Sequence, residues 1–342
     1  MSSSAGNPFL EQRELLAGEA IVPLPGRGVV TITGPDRLSW LDSLTSQSLK
    51  NLQPGQSAET LLLDPSGRVE HAMRVVDDGE TTWLLVDEAP ALAAWLDRMR
   101  FMLRVEVADR SADFITVGTF GELDGVVTWR DPWPEIVVGG HSYATGQPGE
   151  WDYREVLVTS LPDRPVASLA ALEALRIAAW RPRLATEGDE RTIPHELDWL
   201  RSAVHLNKGC YRGQETVAKV HNLGHPPRRL VLLHLDGVLP NPGDPVVEQA
   251  VVEPDAVQSA VVEPAETPAP REVGRITSAA HHWELGPIAL AVIKRNVDPT
   301  ATLVVHSAEH GDIAAAQEVI VPPSAGAEAN VPRLPRLGAV TR

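Results

Sequence analysis

Asn207-Lys208-Gly209-Cys210-Tyr211-Arg212-Gly213-Gln214-Glu215 packs two glycines, two cations, a thiol, an amide and a carboxylate into nine positions. Glycines at 209 and 213 admit left-handed backbone and close approach of a ligand or a second segment. Lys208 and Arg212 flank the thiol two residues to either side, and positive neighbours favour thiolate, so Cys210 is a candidate nucleophile or redox thiol. The plainer reading is a tight turn in which Cys210 packs as a small hydrophobe and Gln214 and Glu215 bond to nearby backbone.

Working outward from this segment, Thr216 to Val220 reads as a strand. From Arg229 onward apolar residues alternate in Leu230 to Leu235, Gly274 to Ser278, Ile288 to Ile293 and Thr302 to Val305, the pattern of a small β-barrel over 228–315. Within it, Val246-Val247-Glu248, Val251-Val252-Glu253 and Val261-Val262-Glu263 recur in a Pro/Ala/Glu-rich stretch. Three short triplets do not make a solenoid, and 247–270 reads as a mobile excursion between strands. A tail over 316–342 of the same character is expected to be disordered. On the N-terminal side, residues 1–20 read as a flexible start to a 21–227 region of two intertwined α+β domains. Val29 to Thr33 is strand-like, Asp36 is placed to cap a helix carrying Leu38, Trp40, Leu41 and Leu44, and Asp64-Pro65-Ser66-Gly67 joins two strands as a hairpin turn. Further strands are expected at Phe114 to Phe120, Glu135 to Val138 and Glu155 to Thr159. A helix through Leu169, Leu172, Leu175 and Ala179 should stop at Pro182.

With 43% hydrophobic and 22% charged residues, the 342-residue chain is globular and long enough for two or three packed units. A formal net charge of −16 repels a phosphate backbone, so direct nucleic-acid binding is not expected, while a basic pocket for a small anion remains open. Cys210 is the single cysteine, which excludes an intrachain disulfide and a cluster held by several thiols of one chain. No apolar run reaches the roughly 18–20 residues a membrane helix needs, and the expected location is cytoplasmic.

Lys-Gly-Cys-Tyr-x-Gly-Gln-Glu, complete from Lys208 to Glu215, resembles the signature of the YgfZ family of folate-binding proteins, relatives of the glycine-cleavage T protein. Ile32-Thr33-Gly34-Pro35-Asp36, Leu63-Asp64-Pro65-Ser66-Gly67-Arg68, Leu175-Arg176-Ile177, Ile193-Pro194-His195-Glu196 and Gly274-Arg275-Ile276-Thr277-Ser278 follow in family order. The resemblance implies an α+β fold, a T-protein-like ring of two α+β domains and a C-terminal antiparallel β-barrel around a folate channel. It further implies tetrahydrofolate or a derivative as cofactor, and iron–sulfur client enzymes as partners in cluster assembly or repair, with an indirect effect on tRNA modification. The signature from Lys208 through Gly209, Cys210, Tyr211, Gly213, Gln214 and Glu215 would carry the thiol step, and Arg176, Glu196, Trp180 and Arg229 are the candidate folate contacts. The alternative is a folate-dependent aminomethyl-type transferase. Those enzymes carry acidic residues where this chain reads Gly67-Arg68-Val69-Glu70-His71-Ala72, and Arg-Leu-Glu-Ala-Gly where it reads Arg176-Ile177-Ala178-Ala179-Trp180. The carboxylate that could bond a pterin is missing there.

His221 and His225 are spaced i, i+4, which suits a metal only on a helix, and Gly224 and Pro226 place them on a loop; no metal is expected. Phosphate-loop and serine-elbow motifs do not occur.

Overall fold

The computed structural model describes residues 6–248 and 271–329. The chain enters through helix α1 (Pro8–Leu16) and the two-residue strand β1 (Val22–Pro23). An antiparallel sheet of order β3-β4-β5-β2-β6 then forms from β2 (Gly28–Thr33), β3 (Ser57–Leu63), β4 (Val69–Asp77), β5 (Thr81–Val86) and β6 (Glu106–Asp109). Its strands are apolar on both faces because both are covered. Val30, Ile32, Leu62 and Leu84 pack beneath α2 (Arg37–Leu44) and α3 (Ala89–Met99), while Val29, Leu61, Leu63 and Leu85 join a central core with Trp129 and Trp199. Asp36 precedes α2 without capping it: its carboxylate accepts instead from Arg104 N and Nη2, at 2.9 and 2.8 Å.

The second sheet runs β1-β7-β9-β8, with β7 (Ile115–Thr119), β8 (Val127–Arg130) and β9 (Arg154–Val158). Its edge is the chain's own start, since Val22 pairs Gly118. The expected strand at 135–138 is irregular chain, and Val137 N donates to Arg201 O at 2.9 Å and not to a neighbouring strand. Helix α4 (Leu169–Ala178) begins where Ser168 Oγ accepts from Ala171 N at 3.2 Å. It ends at Trp180, whose φ of 57° is the left-handed stop usually made by glycine. The short α5 (Leu184–Glu187), two single 3-10 turns at Pro194–Leu197 and Trp199–Arg201, and α6 (Gln214–Leu223) complete this region.

The C-terminal unit is a closed antiparallel barrel, β10-β13-β12-β11-β14-β15. Its strands are β10 (Arg228–Leu235), β11 (Pro245–Glu248), β12 (Arg271–His282), β13 (Gly286–Lys294), β14 (Leu303–Ser307) and β15 (Gly311–Val319). The architecture is therefore α+β with a terminal barrel, as expected.

Three boundaries need correction. The segment expected to be flexible holds α1, with Leu15 fully buried and Gln12 bonded to His281 O and Trp283 N at 2.9 Å each. The tail expected from 316 begins inside β15, and Ile320 and Val321 are buried, Val321 N donating to Leu230 O at 3.1 Å. Val247 and Glu248 belong to β11, while 249–270 and 330–342 lie outside the described residues.

Candidate functional site

The signature segment leads into α6, not a strand. Thr216 to Val220 is helical because Gly213, at φ 83°, turns the chain into the helix, and Val217 is the residue α6 buries. Gly213 sits against the β3–β4 turn so closely that a Cβ would lie 2.7 Å from Asp64 O and 3.0 Å from Gly67 Cα. Gly67, at φ 79°, in turn leaves 2.8 Å between its own Cβ position and Thr216 Cβ. Two left-handed glycines thus interlock the signature with the hairpin turn.

Lys208 is a structural cap. Its side chain is 4% exposed, and Nζ donates to Asp42 O, Thr45 O and Gln47 O at 2.5, 2.8 and 2.7 Å, closing the carboxyl end of α2. Burial lowers its pKa, with Asp42 opposing. Arg212 is committed to Glu70 at 2.7 Å and lies over the Trp95 ring at 5.8 Å. Both cations expected to activate the thiol are therefore engaged by other groups. Cys210 is exposed, Tyr211 is buried, Gln214 Nε2 donates to Lys208 O at 3.2 Å, and Glu215 is exposed in the first turn of α6. A Cβ at Gly209 would meet nothing within 4 Å. The segment is a rigid mount that presents one thiol to solvent.

Behind it lies a polar cavity of about 270 Å³ lined by Tyr211, Gln214, His141 and His221. His221 is on α6 and not on a loop, with Nδ1 2.9 Å from Tyr143 Oη; burial lowers its pKa, helped by His141. His225 stands beyond the helix, with Nδ1 2.7 Å from Ala325 O.

A second cavity, of about 330 Å³, opens where α4 faces β4 and the run into β9. Trp151, Tyr153 and Glu155 line it at a spacing of two, with the Trp151 and Tyr153 rings stacked at 4.8 Å and 28°. Arg181, 3% exposed, donates from Nε to Asp131 and from Nη2 to Glu59 at 2.8 Å each, and its Nη1 has no hydrogen-bond partner among the described residues. Burial and then the Glu155 carboxylate raise the Tyr153 pKa well above the usual phenol value, so the phenol stays protonated.

Of the four expected folate contacts, only Arg176 lines this cavity. Its guanidinium binds Glu173 at 2.5 Å, Glu187 at 2.8 Å and Ser278 Oγ of the barrel at 2.9 Å. Burial acts to lower its pKa, but Glu187 and Glu173 prevail and hold it raised. Glu196 is buried against Arg228 at 2.7 Å. Trp180 packs on Gly146, and Arg229 is enclosed in the barrel, donating to Val297 O and Gln317 Oε1 at 3.0 Å. Sequence reasoning missed Trp151, Tyr153, Asp131 and Arg181, although the alternation from Trp151 to Glu155 was a signal for a shared face.

No family model matches the chain. It is 25% identical over 231 residues to the mitochondrial iron-sulfur cluster assembly factor IBA57 homolog of Mycosarcoma maydis, a match covering 62% of this chain. That match spans 56% of the fungal protein's own length. It is 22% identical over 235 residues to the tRNA-modifying protein YgfZ of Vibrio vulnificus, covering 66% of this chain and 72% of that one. Curated aminomethyltransferases match as well. Among solved structures, the glycine cleavage system aminomethyltransferase T from Bartonella henselae superposes with a TM-score of 0.67 at 17% identity, over 93% of this chain and 89% of that one, which establishes the shared fold. Together with the complete Lys208–Glu215 segment, these likenesses support a relation to the YgfZ and IBA57 proteins and, through the shared fold, to the T-protein superfamily.

Proposed function

We propose that this is a folate-binding accessory protein that supports iron–sulfur cluster assembly or repair in client enzymes and thereby affects tRNA modification indirectly. The observation that carries the reading is the exposed Cys210 on a mount fixed by Lys208 and Gly213. A lone thiol cannot hold a cluster by itself but can make a transient contact with one held by a partner. The names of the relatives supply the direction. The same reading locates the protein in the cytoplasm, where an exposed thiol stays reduced.

The cavity residues fit a folate. Trp151 and Tyr153 line it with flat aromatic surface, and Arg176, Arg181 and Arg183 bring guanidinium groups to its wall. Trp151, Tyr153, Arg181 and Arg183 would hold it; bound tetrahydrofolate supplies a one-carbon carrier. The transferase alternative has less support, because Ala178 stands in α4 where those enzymes have a carboxylate. Calorimetric titration with tetrahydrofolate and 5-formyltetrahydrofolate should show saturable binding. Cys210→Ser should fold normally and fail to restore a cluster-dependent enzyme in cells lacking the protein. Full restoration would sink the thiol role, and turnover of methylenetetrahydrofolate with an acceptor would favour the transferase.

A further inference from the structure

We infer that the polar cavity behind the signature is a ligand site of its own, which takes a small uncharged heterocyclic amide or lactam. It shares no wall residue with the aromatic cavity beside α4 and does not rest on the folate reading. Three polar atoms carry the inference. Tyr211 Oη, His221 Nε2 and Gln214 Oε1 make no hydrogen bond among the described residues, and each keeps accessible surface on a residue that lines the cavity. Bonds on the far side of two of these groups fix their roles. Gln214 commits Nε2 to Lys208 O at 3.2 Å, so the carbonyl oxygen left over is an acceptor. Burial, with the Glu328 and Asp198 carboxylates, raises the Tyr143 pKa, so its hydroxyl stays protonated and donates to His221 Nδ1 at 2.9 Å. Burial keeps His221 itself neutral, and its one proton then sits on Nε2 as a donor. The Tyr211 hydroxyl serves in either sense. A fixed acceptor beside a fixed donor is the complement of an amide N–H and C=O.

The wall carries no charge. None of the residues lining the cavity is Asp, Glu, Lys or Arg, in a chain with 22% charged residues. A charged ligand would lose its water there without gaining a counter-ion. Glu328 Oε1, 3.7 Å from His141 Nε2, would in addition repel an anion. Leu206, Val217 and Ala218 complete the wall with apolar surface, which suits a ring and not a polyol. A volume of about 270 Å³ is room for about nine waters at roughly 30 Å³ each, the size of a single ring with its amide.

The test is calorimetric titration of the intact chain with nicotinamide and uracil as neutral probes, nicotinate as the charged isostere of the first, and ribose as the polyol. Tyr211→Phe removes the hydroxyl and keeps the ring beneath the Lys208 ammonium, which lies 5.4 Å from its centroid. His221→Gln removes the imidazole donor independently. Saturable micromolar-to-millimolar binding of a neutral probe, about tenfold tighter than nicotinate and weakened about fivefold or more in either variant, supports the inference. Nicotinate binding as tightly as nicotinamide overturns the uncharged class, and ribose binding in place of both neutral probes overturns the heterocycle. Unchanged affinity in both variants, or displacement of nicotinamide by 5-formyltetrahydrofolate, moves the probe out of this cavity and overturns the assignment. Silence of both neutral probes overturns the site.

Discussion

Replacing Lys208 by methionine should cost stability before it costs chemistry. The ammonium donates to three backbone carbonyls at 2.5–2.8 Å from a side chain 4% exposed. Hydrogen bonds involving a charged group contribute about 1.5–3 kcal/mol each. Desolvating the ammonium costs several kcal/mol in return, and the lowered Lys208 pKa reports that cost. The net loss for Lys208→Met, with three carbonyls left at the end of α2, is about 3–5 kcal/mol. At roughly 2–4 °C per kcal/mol for a unit of this size, the melting transition should fall by about 10 °C. Calorimetric scanning of Lys208→Met beside Cys210→Ser is the assay. The exposed cysteine should melt within about 0.5 kcal/mol of wild type. A Lys208→Met protein that melts with wild type yet loses function would refute the reasoning and return the lysine to the chemistry.

Three further outcomes follow from the geometry. Gly213→Ala should destabilise by about 2–4 kcal/mol in urea titration, combining the cost of a left-handed alanine with the clash against Asp64 O, while Gly209→Ala is neutral. Phe101 is 80% exposed at φ 46°, so Phe101→Asn should raise the unfolding free energy by about 0.5–1 kcal/mol. His195 and Asp198 set opposing acid responses. Burial holds the His195 pKa down at about 3, so the unfolded chain alone takes its proton between pH 6.5 and 3, and stability falls as pH falls. Burial holds Asp198 up at about 6, so the native state alone keeps its proton between pH 6 and 3.8, and stability rises as pH falls. The two cancel in wild type between about pH 4 and 6. Asp198→Asn should therefore lose about 1.4 kcal/mol per pH unit on acidification, read from urea midpoints, and an unchanged profile would contradict the assignment.

The barrel strands were legible because alternation survives wherever one face is buried and the other is not, as in Leu230 to Leu235 and Ile288 to Ile293. Thr216 to Val220 misled for a physical reason: its valines have strand propensity, but tertiary contacts decide, with Val217 O held 3.0 Å from His195 Nε2 and Gly213 turning the chain into a helix. The signature cations were visible, and their directions were not. Neighbours in sequence bring Lys208 near Cys210, yet its ammonium reaches carbonyls more than 160 residues away. The cavity was half legible, since Trp151, Tyr153 and Glu155 alternate along the extended run into β9, whereas Arg181 and Arg176 reach it from the other side through α4 and the chain that follows.

The short edge strand β1 and the docked α1 have a consequence for how the protein is made. Val22 must wait for Gly118, and Gln12 for His281 and Trp283, 269 and 271 residues further along. At a ribosomal pace of about 5–20 residues per second, the amino-terminal helix emerges roughly 15–50 seconds before its last partners exist. The first sheet can close during synthesis, because all its strands lie within the first 109 residues. The leading helix cannot finish docking until β12 and the turn after it have been made, so this contact joins segments synthesised far apart in time.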